Sequence, residues 1–390
     1  MSGAPPAVSA AARGLAARLR EWIGREGPLP LDAYITACLA DADAGYYRQR
    51  PAIGAAGDFV TAPEISQVFG ELIGLWAAAV WTQMGCPDPV QLVELGPGRG
   101  TLIADALRAI GSTMPALVVA LRLTLIETSP RLCVAQADAL ADAQTRRWLA
   151  SPPVWRERFD EVAAGPTILV ANEFFDALPI RQFVRAGEGW LERRVGLDPG
   201  GEGFAFVLAE SEPQSLPAVS AALAAFTDAE AEDGDVAEIS PQADALATAI
   251  GRRLVAAGGA ALIVDYGHAR PGCGDTLQAV AHHRYADPLA APGEADLSHH
   301  VDFAALAAAA RSAGAAVHGP IPQGLFLGRL GVLERAEALK AAQPAAATAI
   351  DGGVRRLLHP GRMGLLFRAL VLANPRLPPP PGFVAGAPGG

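Results

Sequence analysis

Eight consecutive residues, Glu94-Leu95-Gly96-Pro97-Gly98-Arg99-Gly100-Thr101, carry the clearest chemistry in the chain. Glycines at 96, 98 and 100 permit a sharp turn and let backbone amides come close to a ligand. The apolar run 90–95 before them predicts a strand, and Thr101 to Ile110 predicts a helix. The start of that helix adds free N–H groups and a positive dipole end, which suit a carboxylate. A nicotinamide-binding turn would read GxGxxG. Here the third glycine stands one place early, and the strand ends in Glu94. A carboxylate at that point repels a pyrophosphate but can help hold an aminoacyl ammonium. The pattern therefore argues for S-adenosylmethionine over NAD, with a purely structural glycine turn as the bland alternative.

Three further groups join it. Glu127 closes the apolar run Leu123-Thr124-Leu125-Ile126, where a strand-tip acid can accept hydrogen bonds from ribose hydroxyls. Asn172-Glu173-Phe174-Phe175-Asp176-Ala177-Leu178-Pro179 follows another core strand, so it falls on the ligand-bearing edge of a sheet. Carboxylates beside aromatic rings suit a delocalised cation such as guanidinium; alternatively Asp176 caps a turn and the phenylalanines are core. In Gly57-Asp58-Phe59-Val60-Thr61-Ala62-Pro63-Glu64-Ile65-Ser66, a capping box explains Thr61, Pro63 and Glu64. It leaves Gly57, Asp58 and Phe59 unexplained, and these are assigned to a lid over the cofactor. His282-His283 and His299-His300 invite a metal reading, but adjacent histidines point apart in extended chain and no Cys or HxxxH pattern joins them. No metal site is expected, and His283 and His300 are left to packing or a proton role.

The elements that position these residues read as α/β. Strands at 90–95, 121–126, 167–171 and 260–264 alternate with helices, the pattern of a doubly wound parallel sheet, and their near-continuous apolar character fits burial on both faces. Helical periodicity covers 10–44, with a break at Gly27-Pro28-Leu29-Pro30, and resumes from Glu64 to Met84. The expected organisation is an N-terminal helical cap and cofactor lid over 1–89 and a cofactor-binding core over 90–185. An inserted β-rich lobe over 186–240 follows, then the rest of the core over 241–374 and a disordered Pro/Gly-rich tail over 375–390.

Composition bounds the function. The chain has 390 residues, 51% of them hydrophobic and 18% charged, with a formal net charge of −10. An acidic chain without a basic block is a poor partner for nucleic acid. Four scattered cysteines, none in a CxxC pair, fit a reducing compartment rather than a zinc ribbon or disulfide framework. No apolar run reaches the roughly 20 residues of a membrane span. The start resembles a transit peptide in its arginines, but Leu15, Leu19, Trp22 and Ile23 form the stripe of an ordinary helix. A cytoplasmic, bacterial setting is expected; oligomeric state is not legible.

Over nearly its whole length the chain resembles the MidA-like family of S-adenosylmethionine-dependent protein-arginine methyltransferases, whose mitochondrial members assist assembly of respiratory complex I. The resemblance rests on Gly45-Tyr46-Tyr47, residues 57–66 with Phe69-Gly70-Glu71, residues 94–101, Glu127-Thr128-Ser129 and residues 172–179. It continues through Val264-Asp265-Tyr266-Gly267, residues 292–297, His300-Val301-Asp302-Phe303 and Met363-Gly364-Leu365-Leu366-Phe367. It implies a seven-stranded class I (Rossmann-like) methyltransferase sheet with a last antiparallel strand. It also implies a protein substrate, by analogy a complex I subunit. On that reading Glu173 and Asp176, with Asn172, clamp a substrate guanidinium, and Asp265 or Glu64 contribute less. Gly57, Asp58, Phe59, Glu94, Gly96, Gly98, Gly100, Thr101, Glu127 and Asn172 hold the cofactor.

Overall fold

The computed structural model describes residues 8–49, 61–145, 148–210, 219, 222–223, 226, 231–281 and 283–383. The chain forms two compact units, each assembled from three separate stretches: 1–59, 177–242 and 271–300 in one, and 60–176, 243–270 and 301–390 in the other.

The second unit holds the large sheet. Its strands are β1 (Val90–Leu95), β2 (Leu121–Ile126), β3 (Val154–Arg156), β4 (Thr167–Asn172), β5 (Gly259–His268), β6 (Ala316–Pro322) and β7 (Phe367–Ala373). They lie in the order β6-β7-β5-β4-β1-β2-β3, and Val301–Asp302 pairs with the end of β5 as an eighth, short strand. From β5 to β3 the pairings are parallel, and β7 runs antiparallel to both β5 and β6. This is the expected doubly wound α/β sheet with one antiparallel strand. Every residue of β1 and β4 is buried, as two covered faces demand. The chain runs outward from β1 to β2 and β3, then returns to β4 on the other side of β1. That reversal opens a crevice beyond the carboxyl ends of β1 and β4, where ligands of open α/β sheets bind.

Helices α1 (Gln67–Gln83), α2 (Thr101–Thr113) and α3 (Pro130–Thr145) flank these strands. Two glycines let α1 approach α2: a Cβ on Gly74 would fall 2.4 Å from the Ala106 carbonyl oxygen, and one on Gly70 would fall 2.7 Å from Asp105 Cβ. The single helix expected over 64–84 is interrupted. Ser66 is extended (φ −157°, ψ 124°), ends the short helix Ala62–Ile65 and caps α1 by accepting the Val68 N–H. Apolar spacing continues across the break, which is why periodicity alone hides it.

In the first unit, helices Ala10–Glu26 and Leu31–Ala40 share a core with Ile180 and with strand residues Val195 and Leu297. The antiparallel sheet runs Leu29–Pro30, Gly189–Leu197, Arg181–Ala186, Val236–Ile239, with Phe204–Leu208 also paired to Gly189–Leu197. A three-stranded sheet of Gln278–Ala281, Arg284–Ala286 and Asp296–Ser298 completes the unit. The β lobe is thus not the continuous stretch 186–240. It begins at Arg181, and it is joined by the N-terminal helices and residues 271–300, because its inner apolar face buries against them.

The expected disordered tail is also corrected over its described part. Phe383 is buried, its ring centroid 5.6 Å from that of Phe326. Residues 384–390 lie outside the described residues. Among the described residues no helix is long and apolar enough to cross a membrane.

Candidate functional site

The turn between β1 and α2 takes backbone conformations that favour glycine: φ is 59° at Gly96, 56° at Gly98 and 81° at Gly100. Packing enforces two of these positions. A Cβ on Gly96 would lie 2.7 Å from Phe174 Cδ2, and one on Gly100 would lie 3.2 Å from Gln136 Cα. No side chain caps α2, so its first N–H groups remain available to an anion. The Thr101 hydroxyl donates to Glu64 Oε1, and Arg99 Nη1 lies 3.8 Å from Glu64 Oε2. Glu64 therefore does not close a capping box on Thr61, whose side chain makes no cap bond. It ties the segment before α1 to the glycine turn.

Among the described residues, Glu94 and Asn172 each present a buried oxygen at this crevice that has no donor. Glu94 is 3% exposed, and its Oε2 has no hydrogen bond among the described residues. Loss of water pushes its pKa up to about 8. Asn172 Oδ1, at the end of β4, is likewise buried without a partner. The two strands are in register, with Glu94 opposite Val170 and Leu95 opposite Ala171. Unmet buried acceptors are costly, and a ligand ammonium would supply donors to both. On the neighbouring strand Glu127 Oε1 accepts the Ser129 N–H at 2.8 Å, and Oε2 accepts from Gln136 Nε2 at 3.0 Å. Each oxygen keeps acceptor capacity for a hydroxyl. Burial raises the pKa of Glu127 against these donors. Glycine cradle, open helix start, orphaned acceptors and strand-tip acid together fit a nucleoside carrying an amino-acid tail.

Beyond β4 three carboxyl groups gather. Glu173 adopts φ 49°, a conformation strained for a residue with a side chain. Its Oε1 accepts the Ala62 N–H at 2.8 Å and Asn172 Nδ2 at 3.1 Å, while Oε2 makes no hydrogen bond among the described residues. Burial first, and the Asp176 carboxylate after it, push the Glu173 pKa up to about 7, opposed by the two donated hydrogen bonds and by Arg356. Asp265 is fully buried. Its Oδ2 accepts the successive N–H groups of Phe174, Phe175 and Asp176 at 3.1, 3.0 and 3.2 Å, and Oδ1 accepts that of Tyr266 at 2.9 Å. Burial and the neighbouring Asp176 and Glu173 raise its pKa.

The structure thus brings Glu94, Gly96, Gly98, Gly100, Thr101, Glu127, Asn172, Glu173 and Asp176 to one edge of the sheet. Asp265 and Glu64, expected as lesser members of a guanidinium clamp, are instead engaged by backbone N–H groups and by Thr101. Phe175 is core, and Phe174 packs on Gly96. Gly57, Asp58 and Phe59, the expected lid, lie outside the described residues, as does His282. His283 and His300 belong to the first unit; the His300 N–H donates to Thr276 Oγ1. Among the described residues no three His, Cys, Asp or Glu side chains gather as metal ligands. Sequence reasoning missed Gln136, fully buried on α3 between Gly98 and Glu127. Its only signal was a polar residue on the inner face of an amphipathic helix.

Comparison with known proteins points to the same cofactor. The model of a family of S-adenosyl-L-methionine-dependent methyltransferases matches residues 72–321. Protein arginine methyltransferase NDUFAF7 homolog, mitochondrial, of Drosophila melanogaster is 36% identical over 358 residues, covering 86% of this chain and 79% of the relative. Protein arginine methyltransferase NDUFAF7, mitochondrial, of Homo sapiens is 37% identical over 331 residues, covering 80% and 72%. A crystal structure from Burkholderia thailandensis bound to S-adenosyl-homocysteine superposes with a TM-score of 0.83 at 26% identity, covering 98% of each chain.

Proposed function

This chain belongs to the MidA-like family of S-adenosyl-L-methionine-dependent methyltransferases, and we propose that it methylates an arginine side chain of a partner protein. One observation carries the choice of arginine. At the carboxyl end of β4, beside the glycine turn, Glu173 is anchored through one carboxylate oxygen with the other unengaged among the described residues, and Asp176 lies close enough to raise its pKa. A concentration of carboxyl groups is costly unless a cation joins it, and a planar guanidinium is the cation that two carboxylates grip best. The names of the relatives point the same way.

S-adenosylmethionine supplies a methyl group already activated on its sulfonium, so the chain's own work is to orient, desolvate and hold charge. Glu94 and Asn172 would accept hydrogen bonds from the ammonium of the amino-acid tail, the N–H groups opening α2 would hold its carboxylate, and Glu127 would accept hydrogen bonds from the ribose hydroxyls. Gly96, Gly98 and Gly100 keep the backbone close enough for these contacts, and Thr101 fixes the turn to Glu64. Glu173 and Asp176 draw positive charge toward two guanidinium nitrogens, leaving the third free to attack. The proton shed afterwards passes to water. Asp265 holds the turn 174–176 in place.

Tritiated cofactor, offered with the purified chain to extract from a strain lacking it, tests the reading. Label in one protein band, recovered as methylarginine after acid hydrolysis, is the expected result; a respiratory complex I subunit, the partner the family resemblance implies, is the first band to identify. Label in a metabolite or in another amino acid overturns the arginine assignment, and no label overturns catalysis.

A further inference from the structure

Gln136 sits where three elements of the cofactor half meet, and its amide is fully engaged. Its Nε2 donates to the Gly98 carbonyl at 2.8 Å and to Glu127 Oε2 at 3.0 Å, while its Oε1 accepts the Trp155 indole N–H at 2.8 Å. The side chain is 0% exposed. The orientation of this amide is not arbitrary. An indole nitrogen can only donate, so the amide oxygen must face Trp155 and the NH2 must face the two acceptors. Trp155 lies on β3, opposite Leu125 of β2, and so the lock reaches the edge of the sheet. The glycine turn also packs closely on the backbone of α3 at this residue, where a Cβ on Gly100 would fall 3.2 Å from Gln136 Cα.

We infer that Gln136 is a positioning residue for the cofactor, a single amide that sets both the glycine turn and the ribose carboxylate and is itself oriented by Trp155. The inference rests on the reading of Gly98 and Glu127 as cofactor groups. Without the amide, the Gly98 carbonyl and one Glu127 oxygen lose their shared donor in a buried place, and neither is then held in register with the other. The chemistry of methyl transfer, on the far side of the crevice at Glu173, does not involve it.

Titration of the full chain with S-adenosylhomocysteine, together with steady-state kinetics, tests this. Gln136→Met keeps the volume and removes all three hydrogen bonds. It is expected to weaken S-adenosylhomocysteine binding and raise the cofactor KM about 10-fold, the usual scale for a hydrogen bond to a charged group, while kcat at saturating cofactor holds. Because the amide helps keep Glu127 ionised, the acid limb of the affinity profile moves to higher pH in this variant, which a mere packing defect would not produce. Trp155→Phe, which frees the amide to turn over, shifts affinity in the same direction by about 3-fold. Wild-type affinity in Gln136→Met beside weakened binding in Glu127→Gln overturns the inference, as does a loss of kcat equal to the rise in KM with no movement of the pH limb. Unchanged affinity in Glu127→Gln overturns the underlying cofactor reading itself. If the Met variant does not fold, Gln136→Asn, which keeps an amide too short to span both partners, carries the same test.

Discussion

The backbone N–H of Ala62 donates to Glu173 Oε1 at 2.8 Å across 111 residues of sequence. Ala62 opens the short helix before α1, and Glu64, two residues later in the same turn, accepts the Thr101 hydroxyl. One short stretch is therefore fastened on both sides of the crevice, to the carboxylate proposed to grip substrate and to the helix proposed to grip cofactor. The strained φ of 49° at Glu173 is held in place by this bond and by the Asp265 carboxylate under the following three residues.

Substitution of Glu173→Gln keeps the acceptor for Ala62 and removes only the charge. Turnover is expected to fall about 100-fold or more, the scale of a lost charge-stabilising group, with S-adenosylhomocysteine binding within a few-fold of wild type. Calorimetry and tritium transfer to the protein substrate measure the two. Near-normal turnover would show that Glu173 holds no guanidinium.

The same carboxyl group fixes a pH dependence. Its pKa of about 7 means that below neutrality Glu173 is protonated and cannot hold a cation. The rate at subsaturating protein substrate should rise with pH to about 7 and level off above it, reporting the titration of the Glu173–Asp176–Asp265 cluster as a whole. A flat profile between pH 6 and 8 would contradict this.

Glu94 predicts an effect on stability with a definite sign. Unfolded, it ionises near its ordinary value of 4.5; folded, near about 8, so the native state binds the extra proton between those limits. Its contribution makes the ligand-free protein less stable as pH rises through that window and constant above it. Urea denaturation from pH 5 to 9 should show a shallower fall for Glu94→Gln than for wild type, and S-adenosylhomocysteine should protect wild type increasingly as pH rises. Parallel curves for the two proteins would remove Glu94 from the account.

Gly96→Ala combines a left-handed backbone with a Cβ 2.7 Å from the Phe174 ring. A loss of about 1–3 kcal/mol is expected from the backbone alone, with cofactor binding weakened as well. Adding Phe174→Leu should restore the part due to the clash and not the part due to φ. Denaturation of the single and double variants separates them.

Asp265→Asn leaves one acceptor oxygen and places an NH2 group among four backbone donors. A cost of about 2–3 kcal/mol is expected, with reduced turnover because the turn 174–176 loses its anchor. Equal stability of variant and wild type would show that the buried carboxylate is not needed to hold that turn.

Much of the sheet was legible because β1, β2, β4 and β5 are apolar on both faces and are punctuated by glycine or acid at their carboxyl ends. The β3 strand has three residues, two of them exposed, and gives no such signal. The first unit was harder. Its core is assembled from stretches separated by more than a hundred residues, and local periodicity contains nothing about which strand buries against which helix. The site shows the same division. Glu94, the three glycines and Glu127 announce themselves by position at strand ends. Asp265 and Glu64 were recognised as relevant acids, but their partners are backbone N–H groups and a hydroxyl, which no residue pattern encodes. Gln136 gave only the weak signal of a polar residue on the inner face of a helix, and its three partners, a carbonyl, a carboxylate and an indole on separate elements, are encoded in no local pattern.

Strand β7 is made roughly a hundred residues after β5, yet it is the strand that lies between β5 and β6. During translation both of those neighbours must wait with an open edge until residues 367–373 leave the ribosome, and non-local pairing of this kind is slow and prone to aggregation. A ribosome that stops short of residue 367 therefore releases a chain whose cofactor-binding strands are all present but whose sheet is split, an expected client for chaperones and proteases.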